Sequence, residues 1–209
     1  MFEYILGLLA FLRFYRDVKL FIIKRKKYDH IKVMRGGNPF FYKRGEIGVL
    51  MIHGFTSTPH EMLGLARYLA KREITAYCPL LKHHGTVVGD MVKGKLETWE
   101  RQVVREVEFL RRHCNKIYVA GNSFGGNLAL IYVANHRVDG VISFGTPVFW
   151  KRERFYKSLY YLLRQFSVFQ KKVYLKKLKK ATRKKVHYNK LPLSAVSQAF
   201  SKATLSTFT

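Results

Sequence analysis

Lys116-Ile-Tyr-Val-Ala-Gly-Asn-Ser-Phe-Gly-Gly126 is the stretch on which the reading of this 209-residue chain turns. Its first five residues form an apolar run of the kind carried by a strand buried on both faces. The next five, Gly121-Asn-Ser-Phe-Gly125, fit G-x-S-x-G, and the apolar face of a helix begins at residues 128–133. The pentapeptide alone says little, because glycine and serine are common. Between a strand and a helix it is the setting of a nucleophile elbow, in which a tight turn holds the Ser123 hydroxyl out at the carboxyl edge of a sheet.

Outward from the elbow the chain alternates strand and helix. Ile47-Gly-Val-Leu-Met-Ile52 and Ile74-Thr-Ala-Tyr-Cys78 read as buried strands, residues 138–144 as a fourth, and residues 38–42 as a short strand before a Lys43-Arg-Gly45 turn. Pro59 opens one helix, and Thr98 is positioned to cap another whose Trp99, Val103, Val107 and Leu110 share one face. This alternation predicts an α/β fold with a mostly parallel sheet and helices on both faces. His53-Gly-Phe55 follows the first buried strand, so backbone N–H groups of Phe55 and Phe124 are candidates for an oxyanion hole. His53 itself is expected to structure its loop, since the base of such a site follows the serine.

Gly48-Val-Leu-Met-Ile-His-Gly-Phe-Thr-Ser-Thr-Pro-His-Glu-Met62, preceded by Gly36-Gly-Asn-Pro-Phe-Phe, resembles the α/β-hydrolase carboxylesterases, in particular the small carboxylesterase and monoacylglycerol-lipase-like group. Pro79-Leu-Leu-Lys-His-His-Gly-Thr86 is similar to that family's Pro-x-x-x-Gly-His-Gly-Thr loop, with His83 in place of the first Gly and Lys82 where Pro is usual. The elbow and Gly145-Thr-Pro147 complete an ordered set over about residues 36–150. The resemblance implies an α/β-hydrolase fold with a helical cap inserted after it. It further implies hydrolysis of carboxylic esters, of short-chain or monoacylglycerol type, through an acyl-enzyme at Ser123.

A serine hydroxyl is a poor nucleophile until a histidine accepts its proton and a carboxylate orients that histidine. In the resembled fold both follow the serine. The acids after Ser123 are Asp139 and Glu153, and the histidines are His136 and His187. Asp139 begins a strand at the wrong end of the sheet, Glu153 begins the cap, His136 ends the helix leaving the elbow, and His187 lies in a basic region. None matches a triad position. Residues 187–200 resemble the last cap helix of these esterases, after which the family's acid-bearing and histidine-bearing strands would follow. The expectation is an incomplete product, with the last strands and the triad acid and histidine not present in these 209 residues.

The chain divides into a helix over residues 1–30, a core over 31–147 and a basic cap region over 148–209. Of the formal net charge of +26, residues 1–35 carry +6, residues 36–150 carry +5 and residues 151–190 carry +14. Such flanks bind anionic lipid, bind nucleic acid or are simply solvated surface. The +14 stretch lacks a zinc, RNP or helix-turn-helix signature, so nucleic acid is an unlikely partner. At the N-terminus two apolar runs, residues 4–12 and 18–23, are each too short to span a bilayer. Joined, they would place Arg13, Arg16, Asp17 and Lys19 within it. They describe an amphipathic helix, either at an anionic membrane surface or on the domain itself. Aromatic Phe149, Trp150, Tyr156, Tyr160 and Tyr161 either wall an acyl pocket or form the cap's own core. Cys78 and Cys114 lack metal-type spacing and read as buried thiols of the cytoplasm. Peripheral attachment to the inner face of the membrane is the alternative the flanks raise. No P-loop, dinucleotide fingerprint or metal cluster appears, so no cofactor is expected. The second reading is an inactive membrane-surface protein on a hydrolase scaffold.

Overall fold

The computed structural model describes residues 2–28, 30–148, 153–172 and 186–199. Strands β1 (Phe40–Tyr42), β2 (Ile47–Ile52), β3 (Thr75–Cys78), β4 (Lys116–Asn122) and β5 (Gly140–Phe144) form one sheet in the order β1-β3-β2-β4-β5. Only β1 is antiparallel, paired with β3 at the edge. The helices are α1 (Phe2–Arg25), α2 (Leu63–Ala70), α3 (Leu96–Arg111), α4 (Phe124–Asn135), α5 (Glu153–Phe166) and α6 (Leu193–Ala199). A two-stranded ribbon pairs β6 (Phe169–Lys171) with β7 (Lys190–Pro192).

Strand order explains why helices cover both faces. From β2 the chain steps to one side, through α2 to β3, and then crosses back through α3 to β4 on the other side. Right-handed crossovers in opposite directions place their helices on opposite faces. Alternate residues of β2 then meet different layers. Leu50 and Ile52 join Trp99, Val103 and Leu110 of α3 and Phe124 and Leu128 of α4. Val49 and Met51 join Met62 and Ala66 on the α2 side. The reversal occurs at β2 and β4, whose carboxyl ends are where open α/β sheets bind ligands.

Several boundaries differ from the sequence reading. The helix expected after Thr98 begins at Leu96, with Lys95 at its N-cap and no side-chain cap bond; the Thr98 N–H already bonds Lys95 O at 3.1 Å. Burial of both Leu96 and Trp99 outweighs the capping preference. Pro59 opens a 3₁₀ turn, and the α-helix follows at Leu63. β4 runs two residues past Ala120, so the turn is concentrated at Ser123. The expected fourth strand starts at Gly140, and the cap region contributes the β6–β7 ribbon that no apolar run announced. β5 is an edge strand among the described residues, with Val141, Ile142 and Phe144 39%, 43% and 40% exposed.

Candidate active site

β2 and β4 lie in register with Ile52 opposite Gly121. The residues that leave the two strands, His53-Gly54-Phe55 and Asn122-Ser123-Phe124, are therefore brought side by side. A Cβ on Gly54 would stand 3.4 Å from Asn122 O and 3.6 Å from the Ser123 Cβ. Ser123 turns the chain at φ 53°, ψ −118°, in the positive-φ region that side chains avoid. Backbone bonds hold it there on both sides. Its N–H donates to Phe144 O at 2.7 Å, and its carbonyl accepts the Gly126 N–H at 2.9 Å. The side chain is half-buried, and its hydroxyl makes no hydrogen bond among the described residues.

A non-glycine residue in such a conformation costs about 1–3 kcal/mol. Ser123→Gly relieves this and loses about 0.4–1 kcal/mol through the freer unfolded chain. The expected net result is a gain of roughly 1 kcal/mol, read as a higher denaturation midpoint in urea. A midpoint at or below the parent's would contradict the strain.

Phe124 is the first residue of α4, at the positive end of the helix dipole. Its ring meets that of Phe55 edge-on at 5.7 Å, and Trp99 packs edge-on against both, at 5.1 Å from Phe124 and 6.3 Å from Phe55. The two candidate oxyanion donors are thus fixed relative to one another by their own side chains, each such contact adding about 0.5–1.5 kcal/mol. Glu61, which the sequence reading passed over, anchors the other side of the loop: its carboxylate accepts the Gly54 N–H at 2.8 Å. Half-buried Lys172, from the end of β6, has its ammonium pushed down to about 8 by burial, with the Glu61 carboxylate opposing. A lone Glu and a Lys within a basic run carried no sequence signal for either placement.

His53 is a loop anchor, as expected. Its Nε2 accepts the Leu81 N–H at 3.1 Å and its Nδ1–H donates to Gly54 O at 3.0 Å. Burial pushes it down to about 4, so it is neutral with both nitrogens occupied. Buried His84 lies beside it, ring centroids 5.2 Å apart, and burial, followed by the unfavourable electrostatics of a second imidazole at His53, holds it well below the ordinary histidine range. His83, which stands where the resembled loop has Gly, adopts a positive φ of 66°, the region glycine favours, and its Nδ1 hydrogen-bonds Asp90 Oδ1 at 2.9 Å.

The sign of the pH effect follows. In the unfolded chain His53 titrates near 6.5, so between about pH 6.5 and 4 the unfolded state binds more protons than the folded one. Its contribution is complete above pH 6.5 and is lost as pH falls, by up to about 3 kcal/mol, with His84 acting in the same direction. Urea midpoints are expected to fall steeply across this window. His53→Gln, which supplies a non-titrating acceptor for Leu81, should flatten the slope; an unchanged slope would place the proton uptake elsewhere.

Of the remaining candidates, Asp139, His136 and His187 have other partners, and the segment carrying His187 borders the site loop, Tyr188 N–H donating to Thr56 O at 3.0 Å. Asp139 accepts the Ile117 N–H at 2.6 Å, at the opposite end of the sheet from Ser123. His136 stacks on Tyr132 at 4.4 Å, and His187 bonds Tyr188 O at 2.9 Å. Glu153 begins α5. Tyr160 belongs to the cap core, its hydroxyl accepting the Ser197 N–H at 3.2 Å, whereas Tyr161 is 54% exposed. Phe149 and Trp150, the Tyr156 side chain and the basic run at 173–185 lie outside the described residues. Among the described residues no cluster of His, Cys, Asp and Glu could hold a metal ion.

The model of the alpha/beta hydrolase family matches residues 49–177. A thermostable monoacylglycerol lipase of Bacillus sp. (strain H-257) is 40% identical over 122 residues, which is 57% of this chain and 48% of the relative. A carboxylesterase of Bacillus subtilis (strain 168) is 29% identical over 136 residues, 64% of this chain and 55% of the relative. The chain spans about half the length of these curated relatives. A structure from work on the metagenome-derived lipolytic enzymes LipS and LipT superposes with a TM-score of 0.72 at 21% identity, over 82% of this chain and 70% of that one. The monoacylglycerol lipase of Paleococcus ferrophilus gives 0.61 at 15% identity, over 79% and 70%. These two establish the α/β-hydrolase fold.

Proposed function

Because the chain belongs to the alpha/beta hydrolase family, we propose that it serves the hydrolysis of carboxylic esters, of short-chain or monoacylglycerol type, with Ser123 as nucleophile. The carrying observation is the juxtaposition of Ser123, held at positive φ, with the backbone of Phe55 and Phe124 at the carboxyl ends of β2 and β4. In this reading Ser123 Oγ attacks the acyl carbonyl carbon and its proton passes to a general base. The negative oxygen accepts hydrogen bonds from the Phe55 and Phe124 N–H groups, and the alcohol leaves with a proton. Water then attacks the acyl-enzyme by the same route and releases the acid. The kinship with lipases and a carboxylesterase supports the substrate class.

The base and its carboxylate stay unassigned: Asp139 lies at the opposite end of the sheet and His136 stacks on Tyr132. The test is mass analysis of the intact chain after brief exposure to a p-nitrophenyl butyrate ester. One butyryl group on the peptide containing Ser123 is the expected adduct. Acylation at another residue refutes Ser123 as the nucleophile. No acylation, together with a Ser123 hydroxyl that makes no hydrogen bond among the described residues, favours the second reading, an inactive scaffold.

A further inference from the structure

We infer that the outward face of α1 is a docking surface for an anionic lipid bilayer, lying in the plane of the membrane interface. α1 is one continuous 24-residue helix, about 36 Å long at 1.5 Å per residue. It packs against α5 and the Asp90–Lys93 turn, and Arg16 fixes its orientation by donating to Gln165 O at 3.0 Å. Arg16, Leu20 and Ile23 on that side are partly buried. The opposite side carries Tyr4, Leu8, Phe11, Tyr15, Val18 and Ile22 at alternating spacings of four and three, exposed by 85%, 57%, 62%, 59%, 41% and 60%. Phe14 and Phe21, 67% and 59% exposed, widen this to an arc of about 140° that no charge interrupts between Tyr4 and Ile22. The sequence left open whether the helix faces the protein or a membrane. The structure places Arg16, Leu20 and Ile23 toward the protein and a broad apolar arc away from it.

Charge identifies the occupant. Residues 13–27 hold seven Lys and Arg against one Asp. Lys19 Nζ lies 6.0 Å from the Tyr15 ring and the Arg25 guanidinium 5.2 Å from that of Phe21, so cations flank the outward aromatics. Aromatic rings beneath snorkelling cations suit the headgroup boundary. A second copy of this chain is a poor partner: a coiled-coil seam is narrower than this arc, and two chains of net +26 repel. No helix among the described residues is long and apolar enough to cross a membrane, so the helix lies on the surface.

The test is co-sedimentation of the full chain with vesicles of phosphatidylglycerol and phosphatidylcholine, against phosphatidylcholine alone. It is run in the Ser123→Ala background, so that no ester lipid is consumed and the outcome is independent of the hydrolase reading. Expected are binding to the anionic vesicles, release by salt, and little binding to the neutral ones. Combining Lys24→Gln, Arg25→Gln, Lys26→Gln and Lys27→Gln should weaken partitioning by roughly fivefold per charge, two to three orders of magnitude together. Combining Phe11→Asp, Val18→Asp and Ile22→Asp, all on exposed positions, should abolish it with the circular dichroism of the core unchanged. Undiminished binding of this triple variant would overturn the proposal, because the other basic segments would then suffice. Equal binding to neutral vesicles would overturn its electrostatic basis. A dimer in sedimentation velocity that the triple variant dissociates, without vesicle binding, would assign the face to a second copy.

Discussion

Replacing Ser123 with alanine is expected to eliminate labelling of the chain by a fluorophosphonate. In the labelling step the serine oxygen bonds to phosphorus, fluoride leaves, and the hydroxyl proton is lost to water or a base. The reagent is far more electrophilic than an ester, so it reports a positioned nucleophile and oxyanion donors even where proton transfer is poorly assisted. Ester turnover requires the complete constellation, because an oxyanion hole alone accounts for only part of the catalysis of such sites. The two measurements therefore separate the readings. Labelling with turnover means that a base reaches Ser123. Labelling without turnover means that the elbow is formed and the base is not engaged, which matches a hydroxyl without a hydrogen bond among the described residues. The parent should label and the alanine variant should fall to background. An unlabelled parent, or equal labelling of both, would remove Ser123 from the mechanism.

The parts of this site that were legible in the sequence are those fixed by local chemistry. Ile47–Ile52 and the run before Gly121 read as buried strands, and residues 48–52 and 119–121 are buried. The glycines of the elbow announced close backbone approach, and the structure gives each a neighbour. His53 could be assigned to its loop because the base of such a site follows the serine. What remained hidden depends on unusual backbone turns and on tertiary contacts. The Glu61 bond to Gly54 spans only seven residues but needs the turn at Thr56, whose φ of 60° no threonine advertises. His83, the apparent departure from the loop pattern, is held by a hydrogen bond to Asp90 that its residue type alone did not announce. Pinning of the Thr56–Thr58 loop by Tyr188 N–H and Val186 O joins segments 128 or more residues apart. Thr98 misled because capping preference, worth about 1 kcal/mol, is smaller than the burial of Leu96 and Trp99.

The same close approach that makes the elbow legible also makes it fragile, and Gly125→Ala is expected to destabilise the fold by more than about 4 kcal/mol. A Cβ at this position would fall inside the carbonyl of Ile52 and 2.7 Å from that of His53. Both obstacles are backbone in the central strand and the loop after it, so no rotamer change can relieve the overlap. α4 would have to back away from β2, carrying Phe124 from Phe55 and breaking the ring contact at 5.7 Å. A shift of about 1 Å between catalytic groups can cost on the order of 10²-fold in rate, so labelling of Ser123 should fall even in molecules that remain folded. Gly64→Ala is the matched comparison. Gly64 lies in α2 with nothing within 4 Å of an added Cβ, and alanine there should be neutral or stabilising by up to about 1 kcal/mol. Urea unfolding of the two variants, with phosphonate labelling below the transition, reads both effects. A Gly125→Ala chain as stable as the parent would mean that α4 and β2 are not packed as closely as the elbow requires.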